Sequence, residues 1–176
     1  MFARTARLLL RPGWAEDAPA LARAIRGEAR SANALDDARV DAEAFLAEPR
    51  DAILPRFLIT LRTDDAPLVI GTCGLSRRAS GRVEFGCWVA DGHRGRGYAS
   101  EAGLAVLEIA ATLGLAQVEA SHFVDHPASG WLLEKLGFAT TGLTAPRYNC
   151  GVGADAHARL MRIMLRSDQD AGSLAA

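Results

Sequence analysis

Apolar and polar positions change period several times along this chain, and each change marks an element. Residues 7–11, "RLLLR", form a short apolar run ended by Pro12 and Gly13, and they predict a first strand. In "WAEDAPALARAIRGEAR", Leu21 and Ile25 fall four apart on one helical face, with Asp17 placed to cap the helix and Pro19 suited to its first turn. "DAEAFLAEP", residues 41–49, predicts a short second helix stopped by Pro49. Three strands are expected next, in "AILPRFLITLR", "APLVIGTCGLSRR" and "GRVEFGCWVA". Pro55 pushes the first of them toward an edge or a bulge, and "RRASGR" has the composition of a hairpin turn between the other two.

The longest helical run predicted is 99–114. Leu104, Leu107 and Ala111 line one of its faces, and Val106, Ile109 and Leu113 another, so heavy cover is expected on both. Gly114 fits its end. "AQVEASHFV" reads as a strand, and "PASGWLLEKLGF" as a helix ending at Gly137 with Leu132, Leu133 and Leu136 as its packing stripe. Two further strands are predicted around 139–148 and 159–165. The order is strand, helices, a meander of strands, helix, strand, helix, strand, strand. That order predicts a mixed α+β fold with a largely antiparallel central sheet and flanking helices.

Composition changes this picture little. The chain has 176 residues, 49% hydrophobic and 23% charged, with a formal net charge of −1. It fits a single domain over 1–166, with the small, polar segment 167–176 expected to be a disordered tail. The charge gives no drive toward nucleic acid or an anionic membrane, both of which call for a basic surface. The three cysteines, Cys73, Cys87 and Cys150, are odd in number and lack CxxC spacing, so reduced thiols in a cytoplasmic protein are expected, and no metal site. The opening "MFARTARLLLRPGW" has an apolar run of only Leu8 to Leu10, too short for a signal-peptide core or a membrane span.

The candidate chemistry begins at "DGHRGRGYASEA", residues 91–102, where a strand gives way to a helix. A helix start carries unsatisfied N–H groups and roughly half a unit of positive charge. Glycines there let backbone approach a phosphate without a Cβ in the way. Arg94, Gly95, Arg96, Gly97, Tyr98 and Ala99 would then ring a diphosphate with amides; a plain glycine-rich turn is the other reading. A Rossmann fingerprint is excluded because Ser100 stands where the third glycine belongs, and a P-loop because no Gly-Lys-Ser/Thr follows.

"EFGCWVADGHRGRGYASEA", followed one helix and one strand later by "HPASGWLLEKLGF", resembles the GNAT acetyltransferase superfamily, and most of all its RimJ/RimL-type N-acetyltransferases. The resemblance runs over about residues 7–166 and is most specific over 84–138. It implies a cytoplasmic N-acetyltransferase that uses acetyl-CoA as co-substrate, with main-chain amides of the 94–99 loop around the pyrophosphate. It implies that the strand 84–90 splays from the strand 118–124, with the pantetheine arm in the opening against the main chain of Trp88, Val89 and Ala90. Arg94 and Arg96 would add charge near the coenzyme phosphates. Two positions depart from the family. His126 stands where Asn usually touches the pantetheine. Leu133 stands where other branches carry a Tyr that protonates the thiolate, and Ser129 matches the Ser that serves instead in the RimJ/RimL-type branch.

Acetyl transfer from a thioester to an amine needs a neutral amine, donors for the carbonyl oxygen and a proton for the leaving thiolate. An α-amine, with a reference pKa of about 7.7–8.0, is partly neutral at pH 7, so a weak base or a water chain suffices. Glu84 is the leading base, with an ion pair to Arg82 or another basic side chain as its other reading. His122 is the second, odd among Val118, Ala120 and Val124 on one strand face, although a hydrogen-bonded structural role also fits. His93 is expected to face solvent, Glu101 to complement the helix dipole and Cys87 to be a packed thiol. Trp88 and Trp131 fit either an acceptor wall or core. Arg147, in "TAPRYNCG", is placed to meet a carboxylate. The expected partners are acetyl-CoA and an amine, as a protein N-terminus or a small molecule, with the chain a monomer or homodimer. A non-catalytic acyl-CoA-binding module of the same fold is the competing reading.

Overall fold

The computed structural model describes residues 1–27, 32–63, 67–149 and 154–165. The expected disorder of 167–176 and the state of Cys150 lie outside these residues. The elements are β1 (Ala3–Arg4), β2 (Leu8–Arg11), α1 (Ala18–Arg26), α2 (Ala32–Ala47), β3 (Arg56–Leu61), β4 (Leu68–Arg77), β5 (Val83–Val89), α3 (Tyr98–Thr112), β6 (Gln117–Phe123), α4 (Pro127–Lys135), β7 (Ala139–Asn149) and β8 (Ala154–Met164). The strands run β1-β2-β3-β4-β5-β6-β8-β7 in one mixed, mostly antiparallel sheet. The chain divides into two compact units, Met1–Ser76 with Gly86–Val106, and Arg77–Phe85 with the segment from Leu107 onward. No helix among the described residues is long and apolar enough to cross a membrane.

In the first unit, Leu8 and Leu10 of β2 and Phe57, Leu58 and Ile59 of β3 are almost wholly buried. Each such side chain contributes about 1.5–3 kcal/mol through removal of apolar area from water. Leu58 and Val69 pack under α1 and α2 with Leu21, Ala22, Ala38 and Ala42, and Phe45 and Trp88 close the margin of this cluster. Of the edge or the bulge that Pro55 suggested, β3 is no edge strand. It begins one residue after the proline and pairs with both β2 and β4, with a register shift between Ile59 and Thr60. Pro55 lacks an N–H but still accepts from Leu75 N–H through its carbonyl at 2.8 Å.

Among the described residues α2 is the longest helix, and it begins nine residues before the predicted start at Asp41. Its inner side carries Ala38 and Ala42, four apart and buried, while Val40 is exposed. Alanines are good helix formers that give no conspicuous apolar stripe. α3 has one deeply buried stripe, Ala102, Val106 and Ala110, rather than two covered faces; Leu107 is also buried, but Leu104 is 53% exposed. Its end is a Schellman turn, with Leu115 N–H on Ala110 O and Gly114 N–H on Ala111 O.

Asp17 does not cap α1 with its side chain. Its carboxylate instead accepts both Nη groups of Arg11 at 2.7 and 2.6 Å, and the Trp14 N–H at 2.8 Å. The Arg11 hydrogen bond, chiefly, holds the Asp17 carboxyl below its usual range against the opposing effect of burial. Its stabilisation is therefore fully present above the usual carboxylate range and is lost as pH falls through the lowered folded value. Asp17→Ala is expected to cost roughly 1.5–3 kcal/mol, the range for hydrogen bonds to charged groups, read as a lower urea midpoint at neutral pH. The gap to wild type should narrow on acidification. A gap constant from neutral to strongly acid pH would show that the ion pair contributes nothing.

In the second unit, Arg78 N–H bonds to Arg82 O and Gly81 N–H to Arg78 O, closing the predicted hairpin turn ahead of β5. β5 and β6 are parallel, paired at Glu84↔Glu119 and Phe85↔Ala120. Both pairs lie near the start of β5. β6 then pairs along its whole length with β8, and β8 with β7. β8 starts five residues earlier than predicted, at Ala154, because its first half alternates short and polar residues that carry no apolar signal. Val118, Ala120, Leu133, Leu136, Phe138 and Met161 form the buried side, with Phe85 and Phe138 ring centroids 5.7 Å apart. Leu133 is a core residue, as its chemistry requires.

Candidate active site

The glycine loop belongs to the first unit. Gly95 and Gly97 adopt φ of +73° and +80°, a left-handed backbone that side chains disfavour. The Gly97 carbonyl accepts the Glu101 N–H at 3.0 Å and so opens α3. The N–H groups of Tyr98, Ala99 and Ser100 therefore begin the helix without intrahelical acceptors. A Cβ on Gly95 would meet nothing within 4 Å, so the space beside the loop is open. Arg94 folds back, with Nε on Val89 O at 3.0 Å and Nη1 on Asp91 at 2.8 Å. Arg96 is exposed. The Ala90 N–H is held by Ile70 O at 2.8 Å, so among the expected main-chain contacts of Trp88, Val89 and Ala90 two groups are already engaged. Trp88 packs against the α1–α2 cluster, whereas Trp131 is 68% exposed.

Two residues beside this loop, His93 and Glu101, behave differently from expectation. His93 is half-buried rather than solvent-facing, 6.3 Å from the Tyr98 ring. Glu101 does more than complement the helix dipole. It accepts Thr5 Oγ1 at 2.6 Å, Arg7 N–H at 2.9 Å and Arg7 Nε at 2.7 Å. Burial pushes its carboxyl up, but these bonds outweigh that and leave it lowered. Arg7 is the residue that the sequence did not single out. Its guanidinium also donates to Arg96 O at 3.0 Å and lies 4.5 Å from the Tyr98 ring centre, so it braces the loop from beneath. The only signal for it was an acidic residue in the first turn of α3 that needed a partner. Cys73 and Cys87 are free thiols, and Cys87 Sγ lies 4.0 Å from Ala99 O. Burial, first, and the neighbouring Cys87 push the Cys73 thiol well up.

The remaining candidates lie in the second unit. Glu84 is buried at the start of β5. Ser121 donates to one carboxylate oxygen at 2.8 Å, Arg78 Nε donates to the other, and Arg147 Nη2 stands 3.6 Å from that same oxygen. Burial pushes the Glu84 carboxyl up; the Arg78 and Ser121 hydrogen bonds and the two arginine charges outweigh it and leave it lowered. Glu84 is thus ionised throughout the neutral range. The ion pair that was the other reading of Glu84 is present, made with Arg78 and more loosely with Arg147, whereas Arg82 pairs with Glu119. His122 follows Ser121 in the strand and so projects from the opposite face. The two candidate bases are not brought together. Because a carbonyl only accepts, the 3.0 Å contact of His122 Nδ1 with Phe123 O puts a proton on Nδ1. The ring packs against α4, where a Cβ on Gly130 would come within 3.0 Å of Cε1. His126 is the exposed residue preceding α4, and its side chain makes no cap hydrogen bond. Ser129, half-buried, stands in the first turn, with its N–H on His126 O at 3.2 Å.

The model of the acetyltransferase (GNAT) domain family matches residues 7–139. No curated protein is a significant match. Among solved structures the chain is similar to a GNAT-family acetyltransferase from Bacillus anthracis, at 18% identity and TM-score 0.69 over 93% of this chain and 98% of that one. It is similar to a ribosomal-protein-S5-alanine acetyltransferase from Vibrio fischeri, at 16% identity and TM-score 0.68 over 96% and 97%. It is also similar to RimL, a ribosomal L7/L12 α-N-protein acetyltransferase in complex with coenzyme A, at 14% identity and TM-score 0.71 over 96% and 100%. At these identities the structures share the fold. The family match, spanning Arg7, the glycine loop and α4, goes further: the chain belongs to the GNAT acetyltransferase family.

Proposed function

We propose that this protein is an acetyl-CoA-dependent N-acetyltransferase in which a primary amine attacks the thioester directly. The observation that carries the proposal is the loop at the start of α3, where Gly95 and Gly97 hold a left-handed backbone beside open space. Amides there fit a diphosphate, and coenzyme A has one; that RimL is in complex with coenzyme A supports the same reading. The pantetheine arm would run along the backbone of Trp88, Val89 and Ala90. Ser129 is proposed to donate to the departing thiolate, with His126 beside the arm. Glu84, ionised in the neutral range, is proposed to take the amine proton, directly or through water. A lowered carboxyl is a weak base, and a partly neutral α-amine asks for no more than that.

The test is release of free thiol from acetyl-CoA in the presence of pooled primary amines, with coenzyme binding measured in parallel by calorimetry. Binding with amine-dependent thiol release supports the enzyme. Binding without release across acceptors would make the protein a coenzyme-binding module. Arg7→Ala tests the brace beneath the loop. Its affinity for coenzyme A should fall roughly tenfold, because the loop backbone loses one charge-assisted anchor. Its stability should fall by only about 1 kcal/mol, since Arg7 is half-exposed and screened. Unchanged affinity in that variant would remove Arg7 from the site.

A further inference from the structure

We propose that Arg78 and Arg147 form an anion subsite that selects acceptor amines carrying a carboxylate close to the amine; this rests on the N-acetyltransferase reading above. The argument begins with register. Glu84 stands opposite Glu119, Glu119 opposite Arg162, and Ser121 opposite Leu160, so these residues share one face of the sheet. Arg147 stands opposite Ala156, which alternates in step with Ala158 and Leu160. Arg147 therefore projects from β7 onto the same face and reaches Glu84 across it. All of these residues belong to one compact unit.

Among the described residues, charge on that face is unbalanced. Glu84 meets Arg78 and Arg147, and Glu119 meets Arg82 and Arg162, at two guanidiniums for each carboxylate. The Arg147 contact with Glu84, at 3.6 Å, is too long for a hydrogen bond. Its Nε is buried and has no hydrogen-bond partner among the described residues. Arg147 is thus aimed by Glu84 but keeps donors in hand, and Arg78, 48% exposed, uses Nε on Glu84, with no hydrogen bond from its Nη groups among the described residues. Guanidiniums in this state suit a planar carboxylate, which can accept two parallel N–H bonds. A simple cationic amine gains nothing from this face, whereas an amine with its own carboxylate does. Arg147 lies beyond the family-matched residues 7–139, where acceptor preference has room to differ between members.

The experiment offers acetyl-CoA with the amino acids, each as free acid and as amide, and with peptide amides that carry or lack Asp at the second position. Wild type should show kcat/KM about tenfold or more higher for the acid than for its amide, or for the Asp peptide than for its neutral counterpart, as a charge-assisted contact allows. The first outcome marks an α-carboxylate as the recognised group, the second a side-chain carboxylate. Arg147→Ala should erase the preference through KM while the amide rate changes little, and Arg147→Lys should restore part of it. Equal use of acids and amides by wild type, or an equal loss on both in Arg147→Ala, would overturn the subsite while leaving the acetyltransferase standing. The Arg147 Nε–H resonance gives a readout without turnover. If it moves with the carboxylates and not with the amides while no acceptor is acetylated, the subsite stands and the enzymatic reading fails. If it does not move and nothing is acetylated, both fail.

Discussion

Glu84→Gln is expected to slow acetyl transfer roughly 10²–10⁴-fold at neutral pH, the usual range for loss of a general base. Gln keeps the size of the side chain and can still accept from Ser121, but it has no proton affinity to offer. Raising the pH should recover part of the rate, because more of the acceptor is then neutral before it binds. Recovery should begin at lower pH for an α-amine than for a lysine-like amine, whose reference pKa is about 10.4. The structure supplies a competing role, since Glu84 also aims Arg78 and Arg147. If aiming were all it did, the loss would fall mainly on KM and would not recover with pH. His122→Gln serves as the control. Its Nδ1 is occupied by Phe123 O and its ring packs against Gly130, so the variant should remain within a few-fold of wild type. A pH-recoverable loss in His122→Gln, with Glu84→Gln active, would reverse the assignment.

Gly97→Val should weaken coenzyme A binding about 10- to 100-fold, the scale of one or two lost charge-assisted bonds. At φ of +80° a β-branched residue is strained by about 1–3 kcal/mol, so the backbone will shift toward an allowed region. That shift turns the N–H groups at the start of α3 away from a common point. The clash is small, because a Cβ there has only Arg7 Nη2 at 3.4 Å, a flexible side-chain end. The fold should therefore survive, with a thermal melt still cooperative and lowered modestly. Calorimetry that shows unchanged affinity would take the diphosphate off this loop.

The glycine loop was legible in the sequence because its signal is local. Two glycines between a strand and a helix specify a backbone, and the structure supplies that backbone. The element order was legible for the same reason, since periodicity and turn residues act over a few positions. What escaped the reading was either weakly apolar or distant. The first half of α2 carries no apolar stripe that periodicity could detect. The Arg7–Glu101 tie joins residues 94 positions apart. The charged partners of Glu84 came from a hairpin turn and from β7, and Arg82, the nearest arginine in sequence, goes to Glu119 instead. Pairing among many arginines is decided by which strands become neighbours, and topology was the least specified part of the reading.

The brace at Arg7 has a consequence for the order in which this protein matures. Closing a loop of 94 residues carries an entropic cost that must be met before the contact rewards it, and contacts of this span come late in folding. During synthesis Arg7 emerges first, yet it has no partner until Glu101 and the whole of α3 have followed. The glycine loop is therefore expected to reach its final shape only after the first strands have docked. At the proposed coenzyme site, competence to bind coenzyme A would then serve as a clock for the completion of this unit, and in a refolding experiment it should appear after the far-ultraviolet signal of the helices has already recovered.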